Sequence, residues 1–451
     1  MDTSKNLNQR TKRWSTLRAW QSSIRGWQAS VAFLSSLLLL LVALSASSAG
    51  AAQEESLRFP AEFERQEAIW MAWPTVSYTQ ANPSELVIME MLKALQPNIH
   101  VKMLIPPETN VDQILRQNHV PTTNISYHTI PYYDIWLRDM GPIFVVANGN
   151  EKKVVDFDFN GWGMPDTFLP EDLATDEQVD VAVAAEQGLD FISAHIGATK
   201  VISEGGNREF NGKGTMIAIA KTELQRNPKL NKAQLEKVYR DLLGVKKVIW
   251  LEQGVVEDSP STVGLLPGPN DTLSAYALGV EHVDEVARFV GPNTILLAEV
   301  TEAEAKANPI AAENRTRLER AYWILRQATD QDGKRFTIIR MPSAEIQYYT
   351  MSPGDVMYHW LSVMQFDDGS VFPYPNPVNT IAATGYMNFV ISNGVVLAAN
   401  YANTTRDKKV AQILKMVFPN RKIVGINPFA INLGGGGMHC ITQQEPLVEP
   451  R

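Results

Sequence analysis

The chain has a single cysteine, Cys440, among 451 residues. No intramolecular disulfide can form, so a disulfide scaffold is excluded and the fold must be held by its core. Metal-binding spacings are missing too: there is no CxxC, HxxxH or HExxH, and His100, His119, His128, His195 and His359 are scattered. The longest apolar run, "VAFLSSLLLLLVAL" at 31–44, is 14 residues, short of the ~20 that cross a bilayer. No Gly/Ser-rich or Pro-rich linker interrupts residues 57–446. Positive charge is scarce. Of 41 Lys/Arg and 49 Asp/Glu, six basic residues and one acid precede residue 53, leaving the rest with a net charge of about −13. That field excludes a nucleic-acid binder and favours cationic small molecules or basic peptides. Between residues 140 and 200 there are eleven acids, only Lys152, Lys153 and Lys200 as bases, and no arginine.

Hydrophobic residues make up 45% of the chain and charged ones 20%, the balance of a globular protein with a sizeable core. The length would allow two or three domains. Residues 1–30 carry Lys5, Arg10, Lys12, Arg13, Arg18 and Arg25 ahead of the apolar run, and "SASSAGAA" follows it. This is a secretory signal layout with cleavage expected near Ala51 or Ala52, an uncleaved membrane anchor over residues 31–49 being the alternative. The expected organisation is therefore a signal peptide at 1–52 and a folded domain at 53–451.

Helical periods alternate with short β-rich runs. "NKAQLEKVYRDLL" at 231–243 places Leu235, Val238, Tyr239, Leu242 and Leu243 on one face, with Asn231 and Gln234 as N-cap and N3. Gly244 ends it, and "VKKVIWL" follows as a strand. The same order recurs from "DKKVAQILKMVF" through Pro419 to "KIVGI". The class is α/β. Two stretches, 255–280 and 341–380, are richer in loops and are expected to be functional covers or insertions.

Four polar clusters stand at the ends of apolar runs. In "DIWLRDMGP", 134–142, Asp139 could accept a forked pair of N–H bonds from a planar cation while Trp136 stacks on it. The bland alternative makes Arg138 and Asp139 surface charges. In "SEGGNREFNGKGT", 203–215, Glu204 precedes two glycines and an expected hairpin, or is a solvated acid in a plain turn. In "EHVDEVARF", 281–289, His282 and Asp284 would point to one side of a strand and converge on one substrate. In "NLGGGGMHCITQQEP", 432–446, the glycines let backbone approach closely and Cys440 follows His439. A nucleophilic thiol needs a cation or base to lower its pKa from ~8.5; otherwise Cys440 is an inert core residue.

In this order, WxRDxGP, EGGN, HVD and GGGGxHCITQQ resemble the agmatine deiminase family of bacteria and plants, which also contains the bacterial-type peptidylarginine deiminase. The resemblance covers roughly residues 58–446. It implies a pentein fold, five ββαβ-like units around a pseudo-fivefold axis, in a single catalytic domain. It also implies Cys440 as nucleophile, His282 as general acid/base, Asp139 and Asp284 as the clamp on the guanidinium, and Glu204 as support for the histidine. Trp136 would line the pocket, as would Asn388 in "GYMNFVISNG". No metal or organic cofactor is implied.

The sequence departs from the family in Glu281, where members often have glycine, and in the greater length of 255–280 and 341–380. A Cys-His peptidase would leave the paired aspartates unexplained, and a non-catalytic extracellular binder would leave the intact Cys, His and Asp set unexplained. An amidinotransferase would use similar residues with an amine in place of water. A carboxylate-bearing substrate calls for an arginine in the pocket, and none follows the first motif. The expected substrate order is agmatine-like guanidino amines, then internal peptidylarginine, then free arginine. Assembly into a homo-oligomer is left open.

Overall fold

The computed structural model describes residues 56–268 and 274–448. The expected signal or anchor lies outside them. No helix of the described residues is long and apolar enough to cross a membrane.

The repeating unit is two antiparallel strands, one or two helices, and a third strand parallel to the second. It is plainest where Glu209–Phe210 pairs antiparallel with Thr215–Ile219, which pairs parallel with Lys247–Leu251 after the helices Ala220–Arg226 and Lys232–Leu243. The latter helix carries the expected capping box, Asn231 with Gln234, and Gly244 closes it at φ 67°. Two units repeat the pattern in Ile143–Ala147, Glu151–Asp156 and Phe191–Ser193, and in Ala287–Gly291, Thr294–Glu299 and Thr337–Pro342. Another comprises Val390–Ser392, Val395–Ala399 and Lys422–Ile426. Middle strands such as Thr215–Ile219 and Val395–Ala399 are buried along their whole length, which is why they appear in sequence as continuous apolar runs.

The fifth unit joins distant parts of the chain: Gln443–Pro446 lies antiparallel to Gln66–Ala72, which pairs parallel with His100–Leu104. This is the pentein architecture, a single fan of five units instead of several domains.

The two loop-rich stretches differ from expectation. They contribute strands to one four-stranded sheet, in the order Leu265–Pro267, Ser274–Ala277, Val378–Ile381, Tyr348–Met351. Each strand has only three or four residues, and the central parallel pair, Tyr276 with Thr380 and Ala277 with Ile381, spans about a hundred residues of chain. No local pattern could announce such a pairing. The second stretch also carries the helix Val356–Ser362.

Candidate active site

Each unit delivers its chemistry from the same place, the turn that leads into its first strand. Asp139 precedes the strand at Ile143, Glu204 the one at Glu209, Asp284 the one at Ala287, Asn388 the one at Val390 and Cys440 the one at Gln443. Five segments remote in sequence thereby converge. His282 and Asp284 are not on a strand as expected: Val283–Glu285 is a 3-10 turn with His282 as its N-cap. Both still line one cavity of about 280 Å³ with Trp136, Asp139, Trp162 and Cys440.

Trp136 caps the single helical turn Leu137–Met140 and stacks on Tyr78 at 5.6 Å between ring centroids. Arg138 is no surface charge. It is buried, donates to Gln443 Oε1 at 2.9 Å and Gln444 Oε1 at 2.7 Å, and its main-chain N–H bonds the carbonyl of Cys440 at 3.0 Å. The first and last motifs are thus tied together. Asp139 Oδ2 accepts from Trp162 Nε1 at 2.9 Å and Oδ1 from Gly206 N at 3.0 Å. Burial nevertheless pushes its carboxyl up, against the pull of His282.

The glycine run lets Cys440 be approached. Gly435 has φ 99°, and a Cβ there would meet the Leu278 carbonyl oxygen at 2.2 Å. A Cβ on Gly436 would stand 2.6 Å from the Trp136 ring and 3.1 Å from the Cys440 sulfur. Around that sulfur are Asn388 Nδ2 at 3.0 Å, Gly437 N at 3.5 Å and Asp284 Oδ2 at 3.6 Å. Burial raises the thiol pKa well above its usual range, and the charges of Asp284, Glu285 and Asp139 add to the rise. An unoccupied site therefore holds a thiol.

His282 is buried between carboxylates, with Nδ1 3.7 Å from Asp139 Oδ1 and Nε2 3.4 Å from Glu204 Oε2. Burial lowers its pKa, but Asp139 and Glu204 outweigh that and raise it to about 9. Glu204 is the partner expected from the motif. Despite its burial, Arg226 at 2.8 Å and His282 hold its carboxyl down at about 2. Asn388 is not part of the cavity wall; it stands behind it, donating to Asp284 Oδ2 at 3.2 Å and accepting from the main-chain N–H of His439 at 2.7 Å.

Sequence reasoning missed the supporting groups. Glu62 and Arg226 reach the site from outside the four clusters, whereas Arg288 and His439 lie within two of them but were given no role there. Glu281 was noticed, and its backbone explains why glycine suits that position: φ is 67°, the left-handed region. Its side chain pairs with Lys221 at 2.8 Å and accepts from Gly254 N at 3.2 Å, while its carbonyl takes the Thr222 hydroxyl at 2.6 Å.

The chain is similar to known proteins over most of its length. A Yersinia pseudotuberculosis protein named as a candidate agmatine deiminase is 30% identical over 406 residues, covering 88% of this chain and 97% of its own. A Streptococcus mutans protein of the same designation is 28% identical over 401 residues, 87% of this chain and 97% of its own. Among solved structures, an agmatine deiminase of Enterococcus faecalis caught in its reaction superposes with a TM-score of 0.67 at 25% identity, covering 87% of this chain and 96% of that one. The agmatine deiminase of C. jejuni with substrate bound shares the fold at a TM-score of 0.64 and 22% identity, covering 88% and 98%. The family model of Porphyromonas-type peptidyl-arginine deiminases matches residues 58–265 and 273–446, so it takes in all five units and every turn that feeds the cavity. On that span, the chain belongs to the Porphyromonas-type peptidyl-arginine deiminase family.

Proposed function

We propose that the protein hydrolyses the C–N bond of a guanidino amine, agmatine before any other, giving a ureido product and ammonia. The observation that carries the substrate choice is the charge of the cavity. Asp134, Asp139, Asp172, Asp258, Asp284 and Glu285 face it, and among its described lining residues there is no lysine or arginine. A cation is attracted by such walls, and the carboxylate of arginine finds no partner. The names of the relatives point the same way.

The chemistry follows from the residues. A guanidinium held between Asp139 and Asp284 offsets the negative field that keeps Cys440 protonated, so the thiol gives up its proton to solvent as substrate arrives. The sulfur attacks the guanidinium carbon and forms a C–S bond. His282, protonated at neutral pH, gives its proton to the departing nitrogen. The C–N bond breaks and ammonia leaves. Neutral His282 then takes a proton from water as its oxygen attacks the thiouronium carbon. The C–S bond then breaks as the hydroxyl of the adduct loses its proton to solvent, which releases the ureido product and leaves the thiolate; the thiolate takes a proton back when the product departs. Glu204 keeps His282 charged and in place, and Asn388 steadies the sulfur.

Steady-state rates for agmatine, arginine, and peptides with internal or C-terminal arginine test this reading. Agmatine is expected to give the highest kcat/KM, and Cys440→Ala to lower it at least ~10³-fold with the fold intact. A higher value for arginine or a C-terminal arginine peptide would overturn the charge argument. Export is proposed on the basic segment, the apolar run and the small-residue site of residues 1–52. N-terminal sequencing of released protein checks it, a start near Ala52 being expected and an intact N-terminus in membranes refuting it.

A further inference from the structure

His439 is the one ionisable residue of the glycine-rich motif to which the reaction above gives no task. It is buried at 2% exposure and meets a carboxylate at each end of its ring. Nδ1 lies 2.7 Å from Asp284 Oδ2, and Nε2 lies 3.1 Å from Glu62 Oε2. Two carboxylate acceptors on one imidazole call for two N–H donors. Glu62 is itself fixed by an ion pair with Arg288. Arg288 also pairs with Glu209 and donates to the carbonyls of Met387 at 3.1 Å and Phe389 at 2.8 Å, the two residues flanking Asn388.

The chain of contacts runs from Arg288 through Glu62 and His439 to Asp284. A second branch runs through the backbone of 387–389 to Asn388, and both branches end at the sulfur of Cys440. Asp284 Oδ1 is buried without a hydrogen-bond partner, so Oδ2 is the oxygen that is held and Oδ1 the one left for substrate.

We propose that His439 is a positioning residue that, braced by Glu62 and Arg288, fixes Asp284 through Oδ2 and so aims Oδ1 at the guanidinium. The inference rests on the assignment of Asp284 to the guanidinium clamp. The other charged groups felt by Asp284 are His282, Arg288, Arg138, Asp139, Asp258, Glu285 and the Cys440 sulfur. Burial raises the Asp284 carboxyl, but His439 first, and His282 and Arg288 after it, together lower it below its ordinary value, so loss of the Nδ1 contact should let Asp284 take up a proton at higher pH.

The two amide isosteres separate the two ends of the ring. His439→Asn keeps a donor where Nδ1 stood, facing Asp284; His439→Gln keeps one where Nε2 stood, facing Glu62. With agmatine, the Asn variant should lose no more than ~10-fold in kcat/KM and the Gln variant ~10²-fold, chiefly in KM, with the acid limb of its pH profile moved to higher pH. A second measurement needs no turnover. Because the Asp284 charge raises the Cys440 thiol and His439 holds that carboxylate 3.6 Å from the sulfur, an Asp284 freed to swing away should move the midpoint of iodoacetamide alkylation against pH down in the Gln variant, and the Asn variant should stay near wild type. Equal effects of the two variants, or losses that follow melting temperature with both pH curves unmoved, would overturn the positioning role. If wild type failed to turn over agmatine, the proposed substrate would fall, while the alkylation order would still decide the role of His439.

Discussion

At the scale of single residues, the protonation states of the cavity set the pH range of the reaction. In the proposed reaction His282, raised to about 9 by Asp139 and Glu204 against its burial, must be protonated for ammonia to leave. We expect kcat/KM to hold through neutral pH and fall as pH passes about 9, and His282→Asn to remove that limb along with ~10²-fold or more of the activity. A profile already falling at pH 7 would contradict the assignment. Glu281 allows a second test. Its left-handed φ costs a non-glycine residue ~1–2 kcal/mol, partly offset by the contacts with Lys221 and Gly254. Glu281→Ala keeps the backbone cost and discards the contacts, so urea denaturation should show a loss of ~1–2 kcal/mol, whereas Glu281→Gly should stay within ~1 kcal/mol of wild type. Destabilisation by Gly as large as by Ala would mean the carboxylate matters more than the backbone. Cys440, His282, Asp284, Asp139 and Glu204 were legible because each sits in a short string whose neighbours shape the turn that presents it. Glu62 was not: it pairs with Arg288 and His439, 226 and 377 residues away, and no spacing in sequence encodes such meetings.

At the scale of elements, the helix Val356–Ser362 forms part of the cavity wall through Val356, Met357, His359 and Trp360. An aromatic series leads from it toward the clamp: Trp360 to Phe168 at 6.2 Å, Phe168 to Trp162 at 5.9 Å, and Trp162 to Asp139 by its indole N–H. Trp360→Ala removes wall remote from the reacting atoms. KM for agmatine should rise about tenfold with kcat within about twofold, and a larger fall in kcat would show that the helix does more than shape the mouth. Helices with caps were readable, because Asn231, Gln234 and Gly244 are local devices. The turn at Val283–Glu285 was mistaken for strand, because two polar residues at i and i+2 fit either geometry when the run is three residues long.

At the scale of the whole molecule, buried acids govern the response of stability to pH. Burial pushes Asp176 up to about 8 and Asp258 to about 7, from ~3.9 in the unfolded chain. Groups raised in the fold stabilise fully below their unfolded values and lose that contribution as pH rises through the folded ones. His282 adds to the same trend up to about 9. Glu204, held down at about 2, acts oppositely and loses its contribution only as pH falls toward 2. The melting temperature should therefore peak near pH 5 and be lower by roughly 5 °C or more at pH 9; a flat curve would show that these acids ionise freely in the fold. The α/β class followed from the alternation of elements, whereas the five-unit fan came only from the ordered motifs, since length pointed to several domains. The pairing of Gln443–Pro446 with Gln66–Ala72 has a temporal meaning as well. Cys440 lies three residues before the strand that closes the fan, so it reaches its place only after the strands of the other four units have been synthesised. A chain cut short before Cys440 lacks the sulfur, so it is expected to have no deiminase activity whatever the state of its other four units.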